Sequence, residues 1–231
     1  MCNDACIAFG ERQLTADEVR GKDILEVGAV DVNGSLRRSI AVLGPASYVG
    51  TDIHPGPGVD EVCEVGELAS RYGDERFDVV ICTEVLEHIE DWRRAVANMK
   101  AVLRPAGLLL VTTRSRGFPY HGYPYDFWRY EIGDFRQIFG DLEIVALESD
   151  PTAPGVLLAA RKPRPFVPRD LEGQELYSIV SGEKCRRIAP VDILLLRLRH
   201  TVRNLASALV PRPAKKALRR LYPGISTLWR E

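Results

Sequence analysis

An α/β fold, with a doubly wound sheet of seven mostly parallel strands and a basic helical extension, is what this sequence predicts. Three observations carry that expectation. Strand-like and helix-like stretches alternate from residue 24 to about 161, the signature of βαβ units on a parallel sheet. The strongest strand, Phe77-Asp78-Val79-Val80-Ile81-Cys82, is apolar nearly throughout, as a strand covered on both faces must be. The last two strands, 142–148 and 156–161, have no helix-length connection between them, which makes them antiparallel neighbours.

The elements follow in order. Residues 24–28 read as a buried first strand ending in a turn, and Asn33 or Ser35 caps a helix that Gly44-Pro45 stops after Leu43. The second strand is 48–53. A Pro/Gly loop over 54–58 and a short third strand over 61–65 follow, then a helix over 66–72. After the 77–82 strand comes a helix over 91–103, closed by Arg104-Pro105-Ala106-Gly107, and an apolar strand over 108–113. Residues 114–130 break the pattern with Gly, Pro and aromatics, and 131–139 returns to helix. The domains expected are an N-terminal segment (1–21), the α/β domain (22–162), a linker (163–190) stiffened by Pro163, Pro165 and Pro168, and a tail (191–231). In the tail, Leu194, Leu198, Val202, Leu205 and Leu209 fall at helical spacing with Arg197, Arg199 and Arg203 elsewhere on the wheel. A short basic helix is expected over 214–221.

Composition narrows the classes. With 45% hydrophobic and 27% charged residues the chain is neither a disordered nor a membrane-embedded type. The run Ile193-Leu194-Leu195-Leu196 is too short to span a bilayer. No basic stretch followed by an apolar one opens the chain, so no signal peptide is expected and the cytosol is the default compartment. The five cysteines are scattered and odd in number; they suit reduced thiols, with Cys63 and Cys82 in core strands, better than a disulfide framework or a metal centre. The net charge of −1 hides an asymmetry: residues 184–231 hold twelve Lys/Arg against Asp192 and Glu231, a balance of +10 that leaves about −11 for residues 1–183.

Four motifs carry chemistry. Leu25-Glu26-Val27-Gly28-Ala29-Val30-Asp31-Val32-Asn33-Gly34 ends a strand on a glycine, where backbone can approach a ligand and a helix N-terminus can offer N–H groups. A dinucleotide fingerprint needs Gly at 28, 30 and 33, but 30 is Val and 33 is Asn. Asp52 closes the second strand 24 residues beyond Gly28, near the spacing at which nucleotide folds place a ribose-binding carboxylate. The third motif runs from Phe77 through Thr83-Glu84-Val85-Leu86-Glu87-His88-Ile89 to Trp92. The fourth, Phe118-Pro119-Tyr120-His121-Gly122-Tyr123-Pro124-Tyr125-Asp126-Phe127-Trp128-Arg129-Tyr130, follows a parallel strand on the side where ligands bind. Tyr120, Tyr125 and Arg129 are its candidate acceptor-binding residues, whereas Phe127, Trp128 and Tyr130 are expected to pack this segment onto the core.

The third motif, with Leu103-Arg104-Pro105-Ala106-Gly107-Leu108 after it, resembles class I S-adenosylmethionine-dependent methyltransferases. It is most similar to the subgroup with a Glu-His pair after strand four, the methyltransferase type 11-like proteins. The resemblance covers about residues 22–161, and the family usually has Gly where Val30 stands. It implies S-adenosylmethionine as cofactor, with Glu26, Gly28, Ala29 and Asn33 around the methionine moiety and Asp52 on the ribose hydroxyls. Ile53, Glu64 and Val65 would flank the adenine, and Thr83 and Glu84 would lie near the sulfonium. It implies O-methylation of a small polar acceptor such as a sugar or natural product, because similar aromatic segments occur in relatives with such acceptors. A histidine, with an ordinary pKa near 6.5, suits a general base; His121 is the first choice and His88 the second. No metal is expected. The competing readings are a nicotinamide-dependent oxidoreductase and a non-catalytic methyltransferase-fold binding module. For the tail, residues 191–221 suit a homo-oligomer contact or a peripheral membrane contact, and nucleic acid is disfavoured by the lack of interleaved aromatics.

Overall fold

A computed structural model of the chain describes residues 3–32, 34–122 and 124–209, with the side chains of 203, 204 and 206–209 excepted. Two compact units divide after Arg186.

In the first unit, the strands β1 (Asp23–Val27), β2 (Ser47–Asp52), β3 (Glu61–Val62), β4 (Phe77–Thr83) and β5 (Leu103–Arg114) run parallel, because a helix or long loop returns the chain after each. Past a two-residue strand, β6 (Trp128–Arg129), come β7 (Glu143–Ser149) and β8 (Gly155–Arg161). The sheet order is β3-β2-β1-β4-β5-β8-β7, with β8 antiparallel to both of its neighbours. The seven strands and the antiparallel final pair match the expectation. The order reverses between β1 and β4, and a crevice outside the carboxyl ends of those two strands is where such sheets bind ligands.

One face of the sheet is closed by a segment that the sequence left unassigned. Helices α1 (Asp4–Gln13) and α2 (Ala16–Val19) bring Cys6, Phe9, Leu14 and Val19 onto Ile24, Val79, Ile81 and Leu110. Asn3 caps α1 by accepting from the Cys6 N–H at 2.9 Å. The helix after β1, α3 (Arg37–Ala41), has only five residues, shorter than the helix expected to end at Leu43; Leu36 before it makes no side-chain cap, while Ser35 Oγ accepts from the Arg37 N–H at 3.0 Å. Helices α4 (Leu68–Tyr72) and α5 (Trp92–Val102) pack together, and α5 also lies on β5. Asp91 caps α5, whose Trp92, Ala95, Val96, Met99 and Val102 form one buried face at helical spacing. Leu103, expected inside that helix, already pairs with Phe77, and Ala106 turns at a φ of +64°. Helix α6 (Ile132–Ile138) opens with a capping box between Glu131 and Asp134.

The stretch 163–190, expected as a linker, is largely built into this unit. It forms β9 (Leu176–Ser178) and β10 (Lys184–Cys185), and β9 pairs with β6 in a second, three-stranded sheet. Arg93 of α5 donates to the carbonyls of Leu171, Gln174 and Arg186, tying the stretch down. Prolines stiffened the chain without keeping it off the surface, because one half-buried guanidinium fork can satisfy several carbonyls at once. The second unit begins at Arg187 and contains α7 (Pro190–Leu209). The basic helix expected over 214–221 lies outside the described residues.

Candidate active site at the carboxyl edge of the sheet

At the crevice, β1 ends on Glu26 and Val27, and Gly28 follows at a φ of +75°, a conformation glycine adopts without steric cost. A Cβ on Gly28 would lie 2.1 Å from Cγ2 of Val85, so the turn is a backbone cradle that a side chain would fill. Glu26 is buried and accepts from the Tyr48 hydroxyl at 2.8 Å and the Ser35 hydroxyl at 3.3 Å. Burial pushes its carboxyl up to about 7 against those two hydrogen bonds. It therefore orients the following loop through Ser35. Four of the loop's N–H groups are used internally: Gly28 and Ala29 both donate to the Thr51 carbonyl, Asp31 to the Pro57 carbonyl, and Gly34 to the Asp31 carboxylate. These groups lie ahead of the helix expected to offer its N-terminus here, because the short α3 starts only at Arg37. Glu26, Gly28, Ala29, Val30, Ser35 and Thr83 line a cavity of about 20 Å³, room for little more than a water. Asn33 lies outside the described residues.

Val30, the position where the resembled family has Gly, packs toward Gly56, where an added Cβ would stand 3.3 Å from it. This contact zips the loop after β1 to the loop after β2. Asp52 stands at the end of β2, half-buried, with one carboxylate oxygen accepting from the His54 N–H at 3.0 Å. Ile53 is half exposed beside it, Glu64 is exposed, and Val65 is buried at the start of a short 3-10 turn.

Thr83 and Glu84 are buried at the end of β4, and Glu84 turns at a φ of +59°, a conformation that costs a non-glycine residue about 1–3 kcal/mol and clusters at functional sites. Its carboxylate accepts from Thr112 Oγ1 at 2.9 Å and from the Cys6 thiol at 3.3 Å, and it pairs with Arg114, which also reaches Asp150. Burial and the nearby Glu87 raise Glu84 to about 7, outweighing Arg114. Asn3 donates to Asp150 at 2.7 Å, so α1 is tied to this floor at two points.

The second cluster sits under the 118–130 segment. Glu87 is fully buried and accepts from Thr113 Oγ1 at 2.8 Å. Nε2 of His121 lies 3.5 Å from its Oε1 and Nε2 of His88 lies 4.0 Å from it; Nδ1 of His121 lies 3.0 Å from Asp126. The two imidazoles meet edge to face at 4.8 Å. Burial works against the charge on Glu87, but the hydrogen bond from His121 and the field of His88 hold it down at about 2. Burial likewise works against charge on His121, yet Asp126 and Glu87 raise it to about 9. His121 is thus an imidazolium at neutral pH, which corrects its ranking as first-choice base: it has no lone pair to offer until it loses a proton. His88 differs. Its Nδ1 lies 2.6 Å from the Tyr125 carbonyl. A carbonyl only accepts, so in the neutral ring the proton is on Nδ1 and the lone pair on Nε2. Ligand atoms of Glu87, His88 and His121 lie within 4.8 Å of one another, a grouping that sequence spacing did not suggest and that can take a divalent cation only once His121 gives up its proton.

Arg129, expected on the acceptor, is buried and spends all five of its N–H donors internally, on both oxygens of Asp126 and on the carbonyls of Phe118, Pro119 and Trp128. It clamps the segment and has nothing left for a ligand. Phe127, Trp128 and Tyr130 are buried as core, with the Tyr130 hydroxyl donating to the Leu86 carbonyl and the Trp128 indole to the Glu90 carbonyl. Tyr120 and Tyr125 remain at the surface side of the segment, Tyr120 being 40% exposed. Cys6, Thr112, Thr113, Arg114 and Asp126 escaped the sequence reading. The one signal for the threonines and Arg114 was their place at the carboxyl end of a parallel strand.

Comparison with known proteins agrees with this geometry. A family model described as a methyltransferase domain matches residues 4–144. A ubiquinone biosynthesis O-methyltransferase of Coxiella burnetii is 28% identical over 131 residues, covering 51% of this chain and 53% of that protein; the chain spans about half the length of such curated relatives. Among solved structures, a Burkholderia thailandensis 1,6-didemethyltoxoflavin-N1-methyltransferase with bound S-adenosylhomocysteine superposes with a TM-score of 0.57 at 19% identity, over 70% of this chain and 80% of that one. A magnesium protoporphyrin IX methyltransferase of Synechocystis PCC 6803 with bound S-adenosylhomocysteine gives 0.52 at 18% identity, over 68% and 81%.

Proposed function

This chain belongs to the methyltransferase domain family, and on that premise we propose that it transfers a methyl group from S-adenosylmethionine to a hydroxyl oxygen of a small polar acceptor. The observation that carries the reading is the backbone cradle at Gly28, open to no side chain and set at the reversal of sheet order beside Glu26, Asp52 and Thr83. The donor set fits the cofactor's parts. Asp52, with one carboxylate oxygen unengaged by His54, accepts ribose hydroxyls, and Ile53 with Val65 supplies apolar surface for adenine. Glu26 and Glu84 put carboxyl groups, rather than cations, against a sulfonium. When bound, S-adenosylmethionine supplies a methyl carbon already activated for displacement; the chain's task is to position the acceptor and exclude water.

For a hydroxyl acceptor, His88 is the base, its Nε2 lone pair set by the Tyr125 carbonyl. His121, held as a cation between Glu87 and Asp126, positions the segment that carries Tyr120 and Tyr125. O-methylation is favoured by the Coxiella relative, which is named as an O-methyltransferase. Calorimetric titration with S-adenosylmethionine, its demethylated product and NAD tests the cofactor; binding of NAD alone would overturn it. An untargeted methylation screen of hydroxylated metabolites then supplies the acceptor, and His88→Ala is expected to lower turnover at least about tenfold with cofactor affinity kept.

A second reading, a binding module that turns nothing over, draws support from one observation. Four of the loop's N–H groups, those of Gly28, Ala29, Asp31 and Gly34, are internally satisfied and the cavity is about 20 Å³. Failure of both the cofactor and its product to bind would favour it.

A further inference from the structure

Helix α7 carries a feature that methyl transfer does not use. At about 100° per residue, Val191, Leu194, Leu195, Leu198, Val202 and Leu205 fall within an arc of about 100°. Each of the six is between 43% and 65% exposed. Six large apolar side chains in one stripe are more than scattered surface hydrophobes. Arg197 and Arg199, both exposed, stand just outside the two edges of the stripe. No helix among the described residues is long and apolar enough to cross a membrane.

We propose that this face of α7 docks on the surface of an anionic lipid bilayer, with the stripe in the interfacial region and the arginines at the headgroups. Charge selects this occupant. From residue 187 onward the chain holds ten Lys/Arg against Asp192 and Glu231, including Arg212, Lys215, Lys216, Arg219 and Arg220 just beyond the helix. A basic amphipathic helix followed by more cations is what a negative leaflet attracts. The competing occupant is the same stripe of a second copy. Pairing two α7 helices stripe to stripe would bring Arg197 and Arg199 of one copy against those of the other, with Asp192 as the helix's one acid to offset them. The preponderance of acids in residues 1–183 works the other way, since it repels an anionic surface. The contact is therefore confined to the tail.

The test is co-sedimentation of the full chain with vesicles of phosphatidylcholine alone or mixed with phosphatidylglycerol, at low and high salt. Binding is expected to the mixed vesicles, to fall steeply with salt, and to be at least about tenfold weaker to phosphatidylcholine. Leu194→Gln/Leu198→Gln/Val202→Gln is expected to weaken it at least about tenfold, and Arg197→Gln or Arg199→Gln by about fivefold each. These positions are exposed, so circular dichroism and melting should match the parent chain. Equal binding to both vesicle types, no binding to either, or undiminished binding by the triple variant overturns the proposal. So does a lipid-free dimer that the triple variant converts to monomer, which assigns the stripe to a second copy. A variant that fails to fold leaves the parent chain's lipid and salt dependence to decide.

Discussion

Four of the buried carboxyl groups at the carboxyl edge of one sheet fall into two pairs. On the cofactor side Glu26 and Glu84 are pushed up to about 7. Under the 118–130 segment Glu87 and Asp126 are held near 2. Burial raises all four, so burial does not make the difference. Partners do. Glu26 meets two hydroxyls, and Glu84 feels Glu87's charge in addition to Arg114's. Glu87 and Asp126 share the His121 imidazolium, and Asp126 also takes both arms of Arg129. At neutral pH one side is poised between its protonated and ionised forms and the other is fully ionised, which is how a single edge can answer a cationic cofactor and still hold the 118–130 segment as a rigid lid.

The comparison breaks most severely at Asp126. Asp126→Ala leaves Arg129 buried without its carboxylate, and a loss of about 3–5 kcal/mol is expected in denaturant unfolding; a loss below about 1 would mean that the ionic side is not what anchors the lid. Gly28→Ala strikes the opposite side. It combines a positive φ with a 2.1 Å approach to Val85 Cγ2, so about 2–4 kcal/mol of stability should go. Affinity for S-adenosylmethionine should fall by at least about tenfold in calorimetry.

The pH dependence sharpens the contrast. His121 is raised from 6.5 to about 9 when folded. Its contribution is therefore complete below about 6.5 and lost as pH rises through about 9. His121→Gln should be about 2 kcal/mol less stable than the parent at pH 6, with the gap closing by pH 10 in paired thermal melts. The smallest effect is expected at Glu84→Gln. Glu84 keeps its proton up to about 7, so at pH 6 an amide replaces a neutral acid, and the change should stay within about 1 kcal/mol. A larger loss would place an ionised Glu84 on Arg114 and erase the division between the two sides.

Much of the frame was legible in the residues. The apolar run at Phe77 placed the central strand, and the missing helix between residues 148 and 156 implied the antiparallel finish seen in β7 and β8. Asp91 and Glu131 stood where their helices begin. Other features were not legible. The helix over Asp4–Gln13 has a weak apolar pattern because its buried residues are small or are cysteine and glycine: Ala5, Cys6, Gly10, with Phe9 alone large. Strands β9 and β10 are three and two residues long, too short for alternation to register. His121 and Arg129 looked like ligand-binding groups because a sequence lists side chains without their partners.

By itself, then, the sequence determined the strands of the sheet, its antiparallel finish and the kind of residue at each strand end, since hydrophobic period and turn chemistry are local properties. Tertiary structure decided which carboxyl groups keep protons, which histidine carries a usable lone pair and which arginine is spent on its own backbone. Those outcomes depend on burial and on distances of about 3 Å between groups far apart in the chain, such as Cys6 and Glu84, and no local pattern encodes them.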